Sequence, residues 1–240
     1  MAFNYQTFRT RTLTALVFAS VMLAGLLINA WTFLVLVLVI NAGSWWEFLQ
    51  LSKKIKFDAE KISKWTFIIG GLLLISISWA CFIDMNFGMQ LQTNAGNPTI
   101  NWLPLVLIGC MWINDTMAYI VGSFIGKTPL SSVSPKKTWE GTIGGVVLTV
   151  LVVGWLGQEY FTSFFYLEHS VNLPGFHWYV FAAIAAITGT IGDLVESKVK
   201  RIAGVKDSGN IMPGHGGFLD RFDSILLASP IIWIYLYLLS

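Results

Sequence analysis

Residues Ser197 to Asp223 read S-K-V-K-R-I-A-G-V-K-D-S-G-N-I-M-P-G-H-G-G-F-L-D-R-F-D, and long apolar runs lie on both sides of them. The stretch gathers Lys198, Lys200, Arg201, Lys206, Asp207, His215, Asp220, Arg221 and Asp223. A chain that is 55% hydrophobic and only 12% charged does not crowd its ionisable groups in one place without a use for them. Gly209, Pro213, Gly214, Gly216 and Gly217 deny a continuous helix across the middle, because glycine adds backbone freedom and proline removes a donor. The expected object is a polar, reactive loop between two apolar helices, laid against a membrane.

The rest of the chain agrees with a membrane setting. A mean hydropathy of +0.67 and 11 Trp in 240 residues do not describe a water-soluble domain. With about 20 apolar residues needed per crossing, the chain has room for about six to eight helices and little else. The net charge of +2 gives no basic footprint for nucleic acid, and none is expected as a partner. Cys81 and Cys110 both fall in apolar segments and offer neither a zinc spacing nor a disulfide framework. Arg9 and Arg11 before an apolar run resemble a secretory leader, but a second apolar run follows almost at once, so the first run is read as a membrane helix.

Seven apolar segments can be drawn, at 12–29, 31–48, 65–84, 102–125, 139–157, 176–196 and 219–238, with a tight turn at Asn29 joining the first two. Their connections alternate in character. The tail carries Arg9 and Arg11, the loop at 50–64 five lysines, the loop at 126–138 three, and the loop at 197–218 four basic residues, with Arg221 just beyond; together these are all 15 Lys and Arg. The connections 85–101 and 158–175 contain none. By the positive-inside rule, seven crossings put every basic residue on one side, with the N-terminus cytoplasmic. The fold class is all-α and polytopic, with about seven transmembrane helices and an active site at the cytoplasmic face. Residues 1–101 form three spans plus a lysine-rich loop, and 102–240 form the catalytic region. The lysines between 53 and 64 are read as a linker on anionic headgroups.

Ionisable side chains inside membrane helices are costly and usually paired or functional. Asp115 follows Asn114 in the middle of one segment. Asp193, Glu196 and Lys200 share a helical face by their i, i+3, i+7 spacing, and Asp220 and Asp223 open the last segment one turn apart. Five carboxylates from three helices thus come near one level, with Asp115 deeper. Hard divalent cations take carboxylate oxygens together with substrate phosphates. Interhelical salt bridges to Lys200, Arg201 and Arg221 are the plainer alternative for any single one of them.

Gly214, Gly216 and Gly217 precede a helix start, where backbone N–H groups and the helix dipole favour an anion. A phosphate cradle is the expectation, with a simple capping turn as the alternative, and His215 is placed to donate to a phosphate or leaving group. The loop S-P-K-K-T-W-E-G-T at 134–142 complements it. Ser134 and Pro135 start a turn, Lys136 and Lys137 supply cations suited to a polyphosphate, and Thr138 and Glu140 suit the first turn of a helix.

The run from Ser197 to Asp223, with N-D-T-M-A-Y-I-V-G and S-P-K-K-T-W-E-G upstream, resembles the signature of phosphatidate cytidylyltransferases, also called CDP-diacylglycerol synthases. The resemblance covers about 102–238 and is weak over 1–101. It implies the reaction of CTP with phosphatidic acid to give CDP-diacylglycerol and pyrophosphate, with Mg²⁺ and a monovalent cation such as K⁺ as a candidate second ion. It implies a homodimer in the bacterial inner membrane, working on membrane lipid. Asp193, Glu196, Asp220 and Asp223 would hold metal. Asp193, Lys206, Asp207, His215, Asp220 and Asp223 would be catalytic. Ser134, Lys136, Lys137, Glu140, Lys200, Arg201, Gly216, Gly217 and Arg221 would bind substrate.

The residues alone leave two alternatives open. One is an ion-coupled transporter using Asp115, Asp193 and Glu196, although no paired halves are visible. The other is a cytidylyltransferase acting on a different lipid phosphate. A CDP-alcohol phosphatidyltransferase would need a D-x-x-D-G-x-x-A-R run, which the chain lacks.

Overall fold

A computed structural model of the chain describes residues 5–57, 63–91, 102–161, 175–211 and 216–239. They form helices α1 (Tyr5–Leu27), α2 (Ala30–Lys54), α3 (Lys64–Leu91), α4 (Leu103–Ile125), α5 (Trp139–Leu156, running into a π-helical turn at Gly157–Phe161), α6 (Gly175–Ile202) and α7 (Leu219–Tyr237). Among the described residues there is no strand, and Pro129 and Thr138 form an isolated antiparallel bridge. Each helix overlies one of the apolar segments. Five stretches are long and apolar enough to cross a membrane: Ala30–Lys54, Lys64–Phe87, Leu103–Ile125, Trp139–Tyr160 and Gly175–Ile202. α1 is shorter in its apolar part, and α7 opens with Asp220, Arg221 and Asp223 and is outside the five. Large apolar side chains such as Trp31, Val35, Trp46, Leu151 and Trp155 are exposed, as lipid-facing surfaces require. The chain fits an integral membrane protein.

The chain divides into two compact units, Met1–Ser76 with Val199–Phe222, and Ile77–Lys198 with Asp223–Ser240. In the first, α1 and α2 form a hairpin. Asn29 caps α2 by accepting the Thr32 amide at 2.9 Å, while the Thr32 hydroxyl accepts the Asn29 amide at 3.2 Å. This reciprocal pair satisfies two N-terminal donors of α2 and fixes the turn. Phe48 stacks on Phe67 with ring centroids 5.4 Å apart, over Gly71, where any side chain would collide with the Phe48 ring. The end of α6 also belongs here. Gly204 has φ +70°, and the Val205 amide reaches back to the Lys200 carbonyl at 2.9 Å. This closing turn satisfies the last carbonyls of α6 and lets the polar loop begin.

In the second unit α4 and α5 run as an antiparallel hairpin, with Gly141 and Gly145 against Ala118. Small residues allow this close approach where lipid gives helices no hydrophobic reason to associate. Asn114 donates to the Thr190 hydroxyl at 3.2 Å, tying α4 to α6. Pro230 sits inside α7 and cannot donate to the carbonyl of Leu226. That carbonyl accepts instead from the buried Ser78 hydroxyl of α3, and Ser229 donates to the Ser78 carbonyl at 2.8 Å. A helix kink residue inside an apolar core is thus repaired by a neighbouring helix.

Candidate active site

In the second unit α6 presents Asp193 and Glu196 one turn apart, and α7 presents Asp223 in its first turns. A side chain at Gly192 would bring its Cβ within 2.7 Å of the Asp223 carbonyl oxygen, so the two helices meet closely only because this residue is glycine. One carboxylate oxygen from each of Asp193, Glu196 and Asp223 lies within 4.8 Å of the others. Glu196 is buried, and Asp193 and Asp223 are half-buried. Asp193 takes a salt bridge from Lys137 and a hydroxyl from Ser197 at 3.3 Å. Asp223 accepts its neighbour's amide, Ser224, at 2.6 Å. An all-oxygen donor set of this size fits a hard divalent cation that keeps water or phosphate in its remaining positions.

Lys137 reaches Asp193 because of how its loop is built. The Lys137 amide donates to the Ser134 carbonyl at 3.0 Å, closing the turn that Ser134 and Pro135 begin. The Leu130 amide then donates to the Lys137 carbonyl at 2.8 Å, and the Trp139 amide to the Thr128 carbonyl at 2.9 Å. Glu140 turns to the same loop and accepts the amides of Lys127 at 3.2 Å and Thr128 at 3.1 Å. Thr138 caps α5 by accepting the Gly141 amide at 3.1 Å. Of the four residues expected to line a facing wall, Lys137 is paired with Asp193. Glu140 holds backbone, Ser134 makes the turn, and Lys136 is exposed. Asp115 is exposed and outside the three-carboxylate group.

In the first unit the signature stretch forms a second polar centre. Lys200 donates to Asp220 Oδ1 at 2.6 Å, with the two side chains only 10% and 6% exposed. Asp220 Oδ2 accepts the amides of Ser208 and Gly217, each at 2.8 Å, and lies 2.9 Å from the Ser208 hydroxyl. The Gly217 and Ser208 amides and the Lys200 ammonium together meet the charge of this carboxylate, so it is satisfied although its side chain is almost fully buried. Asp220 precedes the apolar part of α7. Gly216 has φ +82°, so only glycine makes this turn without strain.

The amides at the start of α7 meet an anion supplied by the protein itself. Phe218 and Leu219 donate to Glu47 of α2, at 2.8 and 2.9 Å. The amides of Gly217, Phe218 and Leu219 therefore serve Asp220 and Glu47 here. Glu47 is 3% exposed and is not among the site residues expected from the sequence. The signal was available, since Glu47 is a single carboxylate in the apolar run W-W-E-F. Lys206, Asp207, Arg201 and Arg221 are exposed, and Arg201 donates to the Val205 carbonyl at 3.0 Å. His215 lies outside the described residues.

These features fit an all-helical integral membrane protein that brings three carboxylates together between two of its helices. The chain belongs to the cytidylyltransferase family, whose sequence model matches residues 58–239. It is 42% identical over 142 residues to a phosphatidate cytidylyltransferase of Synechocystis sp., which covers 59% of this chain and 45% of that protein. It is 34% identical over 218 residues to the phosphatidate cytidylyltransferase of Staphylococcus saprophyticus, covering 88% of this chain and 78% of the relative. With the Bacillus subtilis phosphatidate cytidylyltransferase the identity is 33% over 217 residues, covering 81% and 76%. The match thus spans less than half of the Synechocystis relative and about three quarters of the other two.

Proposed function

We propose that the chain transfers the cytidylyl group of CTP to phosphatidic acid, giving CDP-diacylglycerol and pyrophosphate. The observation that carries this reading within the family is the group of Asp193, Glu196 and Asp223, with Lys137 beside it. A phosphate oxygen of phosphatidic acid attacks the α-phosphorus of CTP. A new P–O bond forms, the bond to the β-phosphate breaks, and pyrophosphate leaves with the electron pair. The lipid brings its own nucleophile, so the chain needs no covalent catalyst. The task is positioning and charge neutralisation.

Asp193, Glu196 and Asp223 are the residues to hold Mg²⁺, which when bound supplies positive charge to the phosphates. Lys137 is placed to exchange its pairing with Asp193 for a polyphosphate oxygen. Lys136, Arg201, Lys206, Asp207, His215 and Arg221 are assigned to CTP and lipid phosphates by the resemblance of their motifs. Asp220 and Lys200 are read as a buried pair that shapes the signature turn. The grouping of all basic residues on alternate connections supports seven crossings, a cytoplasmic N-terminus and a bacterial inner-membrane location, which would bring lipid and cytosolic nucleotide to one face. The homodimer is proposed on the resemblance alone.

The test is transfer of labelled cytidine from CTP into chloroform-soluble lipid by purified protein, given phosphatidic acid in mixed micelles. Formation of CDP-diacylglycerol supports the reading. Transfer to another lipid phosphate, with none to phosphatidic acid, would reassign the substrate.

A further inference from the structure

Glu47 lies in the apolar run of α2, where an unpartnered carboxylate would be costly. Its described partners all come from 208–219. Oε1 accepts the Phe218 amide at 2.8 Å, and Oε2 accepts the Leu219 amide at 2.9 Å and lies 2.7 Å from the Ser208 hydroxyl. The two amides are N-terminal donors of α7, which have no partner inside their own helix. A carboxylate there satisfies them and meets the positive end of the helix dipole. The Ser208 hydroxyl stands between Glu47 and Asp220 and can donate to one of them at a time. The chain wraps closely, for a side chain at Gly209 or Gly217 would collide with the Glu47 carboxylate, and one at Gly43 with the Phe218 ring. α7 carries Asp220 and, one turn on, Asp223.

We propose that Glu47 is a positioning residue for cytidylyl transfer, fixing the starting point and helical phase of α7 and with them the signature turn; this rests on the function proposed above. Glu47 touches no reacting atom. It acts through the amides of Phe218 and Leu219 and through Ser208. A residue of the N-terminal helices, far in sequence from the signature, thereby becomes part of what the signature needs.

The test uses the full-length protein in detergent and the variants Glu47→Gln and Ser208→Ala. Gln retains one acceptor oxygen, so in Glu47→Gln one of the Phe218 and Leu219 amides should exchange with deuterium on the order of tenfold faster than in wild type. The kcat/KM for CTP should fall on the order of 10²-fold and the Mg²⁺ requirement should rise, while the KM for phosphatidic acid holds. Ser208→Ala keeps both amide bonds to Glu47 and should show a smaller loss in the same direction. The proposal is overturned if the 217–219 amides of wild type exchange as fast as an open loop. It is also overturned if Glu47→Gln lowers only the yield of folded enzyme, leaving exchange, KM and Mg²⁺ dependence as in wild type. Protected amides in a wild type that makes no CDP-diacylglycerol would sink the reaction assignment and the role of Glu47 in turnover together, while the lock itself would stand.

Discussion

Replacing Asp220 with Asn should destabilise the protein far more than a surface charge change would. Lys200 and Asp220 lie 2.6 Å apart with side chains 10% and 6% exposed, so solvent screens the pair little. Asn lacks the charge that Lys200 needs, and its amide must turn a donor either toward Lys200 or toward the amides of Ser208 and Gly217. Removing one partner of a buried pair costs about 3–5 kcal/mol, which is roughly two to three and a half orders of magnitude in the unfolding equilibrium. Lys200→Met should cost less, about 1.5–3 kcal/mol, because the carboxylate keeps its hydrogen bonds to Ser208 and Gly217. The double variant Lys200→Met with Asp220→Asn should cost clearly less than the sum, since neither isolated charge remains. Reversible unfolding in detergent, followed by tryptophan fluorescence and circular dichroism, measures all three. A loss below about 1 kcal/mol for Asp220→Asn, or single losses that add up to the double, would mean that Lys200 and Asp220 are not a mutually dependent buried pair.

Three further outcomes are expected. Asp223→Asn should abolish turnover in a protein that remains folded and inserted, as judged by helical content and detergent gel filtration; near wild-type activity would remove Asp223 from the metal set. Lys137→Ala should raise the KM for CTP yet lower the Mg²⁺ concentration needed for half-maximal rate, because the carboxylates lose a competing cation; a Mg²⁺ titration separates the two effects. Ser78→Ala should cost about 1–3 kcal/mol in the same unfolding assay, because the Leu226 carbonyl, deprived of a helical donor by Pro230, would be left unsatisfied in an apolar interior.

The helices were legible because each is specified locally, by a continuous apolar run ended by polar residues or glycine. The turn at Asn29 was legible for the same reason. The partners of the carboxylates were not, because they depend on which helix faces which. Asp220 and Asp223 stand one turn apart in sequence, yet Asp220 meets Lys200, Ser208 and Gly217 while Asp223 joins Asp193 and Glu196. Asp193, Glu196 and Lys200 share a helical spacing, but Lys200 is paired to Asp220 on the next helix. The glycine-rich turn suggested amides offered to a phosphate, and the anion at that helix start is Glu47, about 170 residues away in sequence. A lone carboxylate in an apolar run announces that it has a partner, but only the packing of α2 says which one.

Cytidylyl transfer is read out by giving the purified protein phosphatidic acid and CTP labelled either at the α- or at the γ-phosphate, with and without Mg²⁺. The prediction is that α-label enters chloroform-soluble lipid and γ-label leaves as pyrophosphate, both only when Mg²⁺ is present. Label that stays wholly in CTP with Mg²⁺ present, in protein shown to be folded, would contradict it.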